Sequence, residues 1–428
     1  MDGELDYMME LLCCVIQQSQ APVAPSSMDW VRFYREALSQ NVAGLLYSAV
    51  KQMSSDNGPS EDIRLAWRNH AVTVAMGQMT YASTLAQIIE ECRKIDIEPV
   101  MFKGLILADL YPEPMLRWMG DVDLLIKPEE ETALFTILRA FQCNETSVPQ
   151  DHKYEHSYTL KNGVHLEVHT RLWEEKEDHP RLAALKEMNI TAPENVITMT
   201  LNNITVSSLG YHQHLLYMLY HIVKHFIVQG IGVRHLIDLT LYYNAYKDRI
   251  DVPLLWRQIE TLGYGEYYRY IFAICIKRFA MNEEIFPAYV TCDADLEQKI
   301  ISDIWMGGVF GKRTIARELS GRFLRQYYEN STKKLPKNRI HLLLSFLFPV
   351  PEELTRIDFV DLSENRFIAW FQRMRYLLSR WYTKKKQKEP TCSLQERMEC
   401  SLSRLEIMQQ AGLLGSSGRR EKAAAGKG

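Results

Sequence analysis

Arg117-Trp118-Met119-Gly120-Asp121-Val122-Asp123-Leu124-Leu125-Ile126 becomes strictly alternating after its glycine. Val122, Leu124 and Ile126 fall on one face, Asp121 and Asp123 on the other, so a strand is predicted over 121–126. Two carboxylates at i and i+2 of a strand point the same way, about 7 Å apart. They repel each other unless a cation sits between them. Hard oxygen donors suit Mg²⁺, which takes one or two carboxylates together with substrate phosphates.

Upstream, Ile97 to Lys103 reads as a strand that runs into Gly104. Leu105 to Tyr111 then reads as a short helix, stopped by Pro112 and Pro114. A glycine at such a turn lets backbone N–H groups approach phosphate oxygens, and Lys103 and Arg117 are placed to neutralise a triphosphate. Downstream, Pro128 and three glutamates predict the start of a helix through Phe141. Val164 to His169 alternates again, with His165, Glu167 and His169 on the polar face. If that strand lies beside the first, Glu167 completes a three-acid site for one or two metals. One metal would polarise the attacking hydroxyl and the other the leaving pyrophosphate.

The ordered set Phe102-Lys103-Gly104, Arg117 to Leu125, and His165-Leu166-Glu167-Val168-His169 resembles the signature of the uncharacterised nucleotidyltransferase family of the polymerase-beta superfamily. A remoter likeness is to nucleotidyltransferase toxins of bacterial toxin–antitoxin and abortive-infection systems. The motif covers about a sixth of the chain; weaker likeness extends through His225, Arg234 and Asp238, and through Leu347-Phe348-Pro349 to Arg373 and Arg380. The resemblance implies a small mixed sheet with helices, and transfer of a nucleoside monophosphate from an NTP to an acceptor. It makes Asp121 and Asp123 metal ligands for Mg²⁺ or Mn²⁺, Glu167 the third acid and Gly104 the phosphate-turn glycine. Two positions depart from the superfamily pattern. Leu105 stands where Ser or Gly usually follows the glycine, and Glu167 where Asp is usual.

The expected catalytic residues are therefore Asp121, Asp123 and Glu167, which are also the expected metal ligands. Lys103, Gly104 and Arg117 are the expected nucleotide contacts. The acceptor stays open among RNA, protein, a sugar and a small metabolite. The competing reading is a degenerate member that binds nucleotide or a partner without catalysis, or sits at the periphery of a membrane.

The rest of the 428 residues frames this core. With 46% apolar and 24% charged residues, the composition excludes wholesale disorder, collagen and a coiled-coil rod. The 8 cysteines include no C-x-x-C pair, which predicts free thiols in a reducing cytoplasm. No signal peptide is read at the N-terminus, and the longest apolar run, Leu342 to Val350, is far below the ~20 residues that span a bilayer. No G-x-S-x-G elbow is present. Helical stripes flank the motif: Trp30, Phe33, Tyr34 and Leu38 before it; Leu215, Met218, Leu219, Ile222 and Phe226 after it. The expected fold class is α+β, mostly helical. A helical segment spans 1–83, the nucleotidyltransferase core 84–180, a larger helical domain 181–412 and a disordered tail 413–428.

Three further features carry expectations. His221 and His225 stand at i and i+4, a spacing zinc sites use, but read as an ordinary helix face. Arg234 and Asp238, also i and i+4, are expected to pair across a helix turn, with closure of the cleft as the alternative. Lys312 to Lys388 holds 18 Lys and Arg against 7 Asp and Glu, in a chain whose formal charge is -3. Its last helix, carrying Phe367, Trp370, Phe371, Met374, Leu377, Leu378 and Trp381, is open to RNA or to an anionic membrane surface. The ordinary reading is a core helix with its charged face in water.

Overall fold

The computed structural model describes residues 3–414 apart from 55, 147–153, 174–179, 202–203, 289, 309–313, 330–334, 337–338, 348–355, 358–359, 362, 364 and 387–391. Phe348, Pro349 and residues 415–428 of the expected tail lie outside the described residues, while Leu413 and Leu414, expected in that tail, are buried in the helical core.

Helices α1 (Gly3–Gln17), α2 (Trp30–Ser39), α3 (Ala43–Val50) and α4 (Glu61–Arg93) come first. Asp29 caps α2, its carboxylate accepting the Val31 and Arg32 N–H groups at 3.0 Å each. Then follow β1 (Val100–Phe102), α5 (Gly104–Ala108), β2 (Val122–Leu125), α6 (Glu131–Ala140), β3 (Asn144–Thr146), β4 (Glu155–Thr159), β5 (His165–His169), α7 (Pro180–Glu187), β6 (Val196–Leu201) and β7 (Ile204–Leu209). The remainder holds α8 (Tyr211–Val228), α9 (Val233–Tyr246), α10 (Val252–Thr261), α11 (Gly265–Phe279), α12 (Ala294–Gly307), α13 (Ile315–Glu329) and α14 (Arg339–Leu347). It ends with a ribbon of β8 (Arg356–Ile357) and β9 (Val360–Asp361), then α15 (Arg366–Lys386) and α16 (Leu394–Gln410).

Seven strands form one mixed sheet in the order β3-β4-β5-β2-β1-β7-β6. β2 runs parallel to β5 and antiparallel to β1. One face is apolar by the period-two rule. Met101, Val122, Leu124, Leu166 and Val168 pack there against Leu85 and Ile88 of α4 and Leu134 and Leu138 of α6. On the other face Phe102 joins the large helical core with Tyr217 of α8, their rings 4.9 Å apart. The polar face of β2 is therefore roofed by a helix, and Asp123 is only 1% exposed.

The fold class is as expected: α+β, mostly helical, with a small mixed sheet. Three details differ from the sequence reading. Residue 84 is no boundary in the backbone, because α4 runs through it unbroken and feeds both cores, through Trp67 and Ala71 on one side and Leu85 and Ile88 on the other. The sheet does not end at 180: β6 and β7 form a hairpin that pairs on to β1. Finally, α15 does not bury its apolar stripe. Phe367 is 82% exposed and Phe371 67%.

Candidate active site

The cleft lies between the strand ends and α8–α9. β1 ends at Phe102 and runs into Lys103, whose φ of +57° is followed by +42° at Gly104. Glycine takes that left-handed conformation at no steric cost, so the chain can turn at once into α5. Lys103 bears the strain of a non-glycine residue in the same region, and its N–H is fixed by donation to His214 Nε2 at 2.9 Å.

The register of the sheet assembles the acids. Asp123 pairs with Phe102 on one side and with Glu167 on the other. Residues opposite each other in a ladder share a face, so the carboxylates converge below α8. Asp123 Oδ1 accepts from Lys103 Nζ at 2.8 Å and lies 3.3 Å from His169 Nε2. Asp123, Glu167 and His169 offer three donor atoms that all lie within 4.8 Å of one another. Asp121, two residues before Asp123, stands at the water-accessible mouth of the same cavity.

The electrostatics follow from this crowding. Burial, then Asp123 and Asp121, push the Glu167 carboxyl up to about 8. Asp121 is raised by loss of solvation in the cleft and by Asp123. Burial alone would raise Asp123 too, but Lys103 and His169 beside it hold it below the ordinary value. Lys103 is raised, because Asp123 and the other anions outweigh the burial that would lower it.

The two arginines are placed differently from each other. Arg117, expected as a phosphate contact, is gripped by Asp238 through Nε–Oδ1 and Nη2–Oδ2 bonds of 2.8 Å each. Tyr111 donates to the same carboxylate at 2.6 Å, and Arg117 Nη1 reaches the Gly104 carbonyl at 3.3 Å. Arg117 thus braces the turn while also lining the cavity. Asp238 accordingly pairs with Arg117 and not, as the i, i+4 spacing suggests, with Arg234. Arg234 lies over the Trp118 ring, 5.4 Å from its centroid, and donates from Nη1 to the Trp118 carbonyl at 2.5 Å. Its buried Nε has no hydrogen-bond partner among the described residues. Burial and then the neighbouring Arg117 lower its pKa.

The histidines of α8 belong to the cleft, which their spacing alone does not reveal. His221 Nε2 is 3.2 Å from Lys103 Nζ and 2.9 Å from His225 Nε2. Burial and then Lys103 push His221 well below its ordinary value; burial and then Lys224 do the same to His225. Both shifts favour the neutral ring. The signal in the sequence is the continuation of the helical stripe through Met218, His221, Ile222, His225 and Gln229, all of which line the cavity. His165 points to the exposed rim, 2.9 Å from Thr159 Oγ1, and does not line the cavity.

The residues expected from sequence are thus brought together: Lys103, Gly104, Arg117, Asp121, Asp123 and Glu167 all line one cavity of about 150 Å³. Its donor set of crowded carboxylates with a raised carboxyl suits a divalent cation.

The sequence matches the family model described as uncharacterised nucleotidyltransferase over residues 26–280. A similar solved structure is an antigenic nucleotidyltransferase-like protein from Paracoccidioides brasiliensis, 16% identical, with a TM-score of 0.31, covering 51% of this chain and 94% of that one. No curated protein matches the sequence. Because the family match spans more than half of the sequence and takes in every cleft residue from Lys103 to Asp238, the chain belongs to the uncharacterised nucleotidyltransferase family.

Proposed function

We propose that this chain transfers a nucleoside monophosphate from an NTP to an acceptor hydroxyl. The observation that carries the reading is the parallel register of β2 and β5, which sets Asp123 beside Glu167. The acceptor oxygen attacks the α-phosphorus, the bond to the bridging oxygen breaks, and pyrophosphate leaves. Mg²⁺ or Mn²⁺ held by Asp121, Asp123 and Glu167 would neutralise charge on the phosphates and on the attacking oxygen. Glu167 is the group we assign to the attacking side, holding the metal beside the acceptor oxygen or, in place of that, taking its proton. Burial and the neighbouring Asp123 and Asp121 raise its carboxyl, and a bound cation would oppose that rise. Lys103 and the Gly104 turn hold the phosphates. Arg117 positions that turn through its carbonyl bond, and Arg234, whose buried Nε has no hydrogen-bond partner among the described residues, is the arginine we assign to the triphosphate.

The cavity is smaller than the 300–1,000 Å³ of ordinary ligand pockets, so it fits the charged end of a nucleotide and leaves the base nearer the mouth. The helical residues after the sheet supply the second wall and, in this proposal, choose the acceptor. Among the described residues no helix is long and apolar enough to cross a membrane, and all eight cysteines are free thiols. A cytoplasmic site of action is proposed on the thiols.

One observation favours the second reading, a nucleotide-binding protein without catalysis. The Lys103 ammonium already sits 2.8 Å from Asp123, where a cation would bind. Thermal unfolding with each NTP, with and without Mg²⁺, separates the two from a dead site. A ligand at 100 times its Kd stabilises by about 2.7 kcal/mol. A Mg²⁺-dependent shift that is lost in Asp123→Asn supports the metal–nucleotide site. Pyrophosphate release with a matched acceptor then decides for transfer, and no shift with any NTP overturns both readings.

A further inference from the structure

Helix α15 is built the wrong way round for a core helix. Phe367, Phe371, Leu378 and Tyr382 stand at i, i+4, i+11 and i+15, which is one face of a helix. That face points to water: Phe367 is 82% exposed, Phe371 67%, Leu378 66% and Tyr382 66%. Ile368 and Leu377 extend it on either side and are exposed too. The face turned to the protein carries Ala369, which is fully buried, with Arg373 and Tyr376 partly covered. Soluble chains rarely leave so large a contiguous apolar stripe in water, and one that is left marks an interaction surface.

The charge says what covers it. The 21 residues of α15 include seven Lys and Arg and no Asp or Glu. Arg375 and Lys386, both exposed, each follow an exposed aromatic of the stripe by one turn. A second copy docked isologously would set seven cations against seven. A nucleic acid would take the cations but leave Ile368, Leu377 and Leu378 in water, since aliphatic side chains do not stack on bases. An apolar stripe with a cationic border is the pattern that lies in the headgroup region of an anionic bilayer, apolar side chains among the acyl chains and ammonium or guanidinium groups at the phosphates.

We propose that α15 seats this protein on an anionic membrane surface, lying in the interface plane with the Phe367–Tyr382 stripe inserted. The proposal is independent of the nucleotidyl-transfer reading. If both hold, the cleft works on acceptors that are at or near a membrane.

The test is co-sedimentation of the full chain with vesicles of phosphatidylcholine alone or of phosphatidylcholine with phosphatidylserine. The wild type should pellet with the anionic vesicles, stay in solution with the neutral ones, and be released by raised salt, which screens the cations. The double variant Phe371→Ser, Leu378→Ser should lose about tenfold or more of the bound fraction. Both side chains are exposed, so its unfolding temperature should match the wild type, which separates lost binding from lost fold. A wild type that stays in solution with anionic vesicles overturns the proposal, as does a double variant that still binds them fully. Sedimentation velocity without lipid closes the remaining route: a dimer that the double variant abolishes would assign the stripe to a second copy and overturn the membrane assignment.

Discussion

Beneath α12, α13 and α16, Asp303 is held by Arg317 at 2.7 Å and 3.1 Å, with Arg404 Nε 3.5 Å away. In the cleft, Asp123 is held by Lys103 at 2.8 Å, and Asp238 by Arg117 at 2.8 Å. Both regions bury charge almost completely: Asp303 is 2% exposed and Asp123 1%. The first cluster joins three helices, and none of its members lines the cleft. The second faces a cavity on one side, where the buried Nε of Arg234 has no hydrogen-bond partner among the described residues. Burial of charge is thus common to a closed cluster and to an open cleft. What distinguishes the cleft is an open side and a buried donor left over for an incoming group.

The contrast can be broken at several points. The largest effect is expected from Asp303→Asn, which leaves two buried arginines facing each other. It should cost about 3–5 kcal/mol of stability in urea unfolding, with the nucleotide-dependent shift of the folded protein kept. If stability is unchanged, the cluster is no brace. Next, Asp123→Asn should lower transfer by about 10²–10³-fold, and because Asp121 and Glu167 remain as anions near Lys103, the unfolding midpoint should fall less than in Asp303→Asn. A comparable loss of stability would make Asp123 a brace as well.

Arg234→Met should go the other way from a substitution in the brace. Removing a cation whose buried Nε has no partner among the described residues should leave stability level or raise it, while losing one charge-assisted contact should raise the KM for NTP by about tenfold. A marked fall in stability with unchanged KM would place Arg234 with Arg317. The smallest effect concerns pH. Asp238 is held down to about 2; burial would raise it, and Arg117 beside it outweighs that. Its contribution is fully present above the unfolded value near 3.9 and is lost as pH falls through about 2. The stability difference between wild type and Asp238→Asn should therefore narrow from about pH 4 downward, and a difference that stays constant would contradict the pairing.

Alternation makes β2 and β5 legible in the sequence, because period two is a local property of Val122, Leu124, Val164 and Leu166. The Lys103-Gly104 turn is legible for the same reason. The Arg117–Asp238 pair is not: 121 residues separate its members, and nothing in a helical i, i+4 spacing says which neighbour a carboxylate will choose. The β6–β7 hairpin carries a signal in its β-branched run, Val196, Ile197, Thr198 and Thr200, answered by Ile204, Thr205 and Val206. The stronger helical stripes that follow it mask that signal. For α15 the stripe is visible and its direction is not, since periodicity fixes that a face exists and not what meets it.

The unbroken α4 has a practical consequence for dissecting the molecule. At 33 residues it is a rod about 50 Å long, rooted at one end among the N-terminal helices and at the other against the back of the sheet. A deletion ending at residue 83 would saw through this rod mid-span and leave its stump to back β1 and β2 alone. The acidic strands are thus mounted on a beam whose far end is anchored among residues that do not line the cleft, and an excised fragment carrying the cleft has to begin at or before Glu61 to carry its own support.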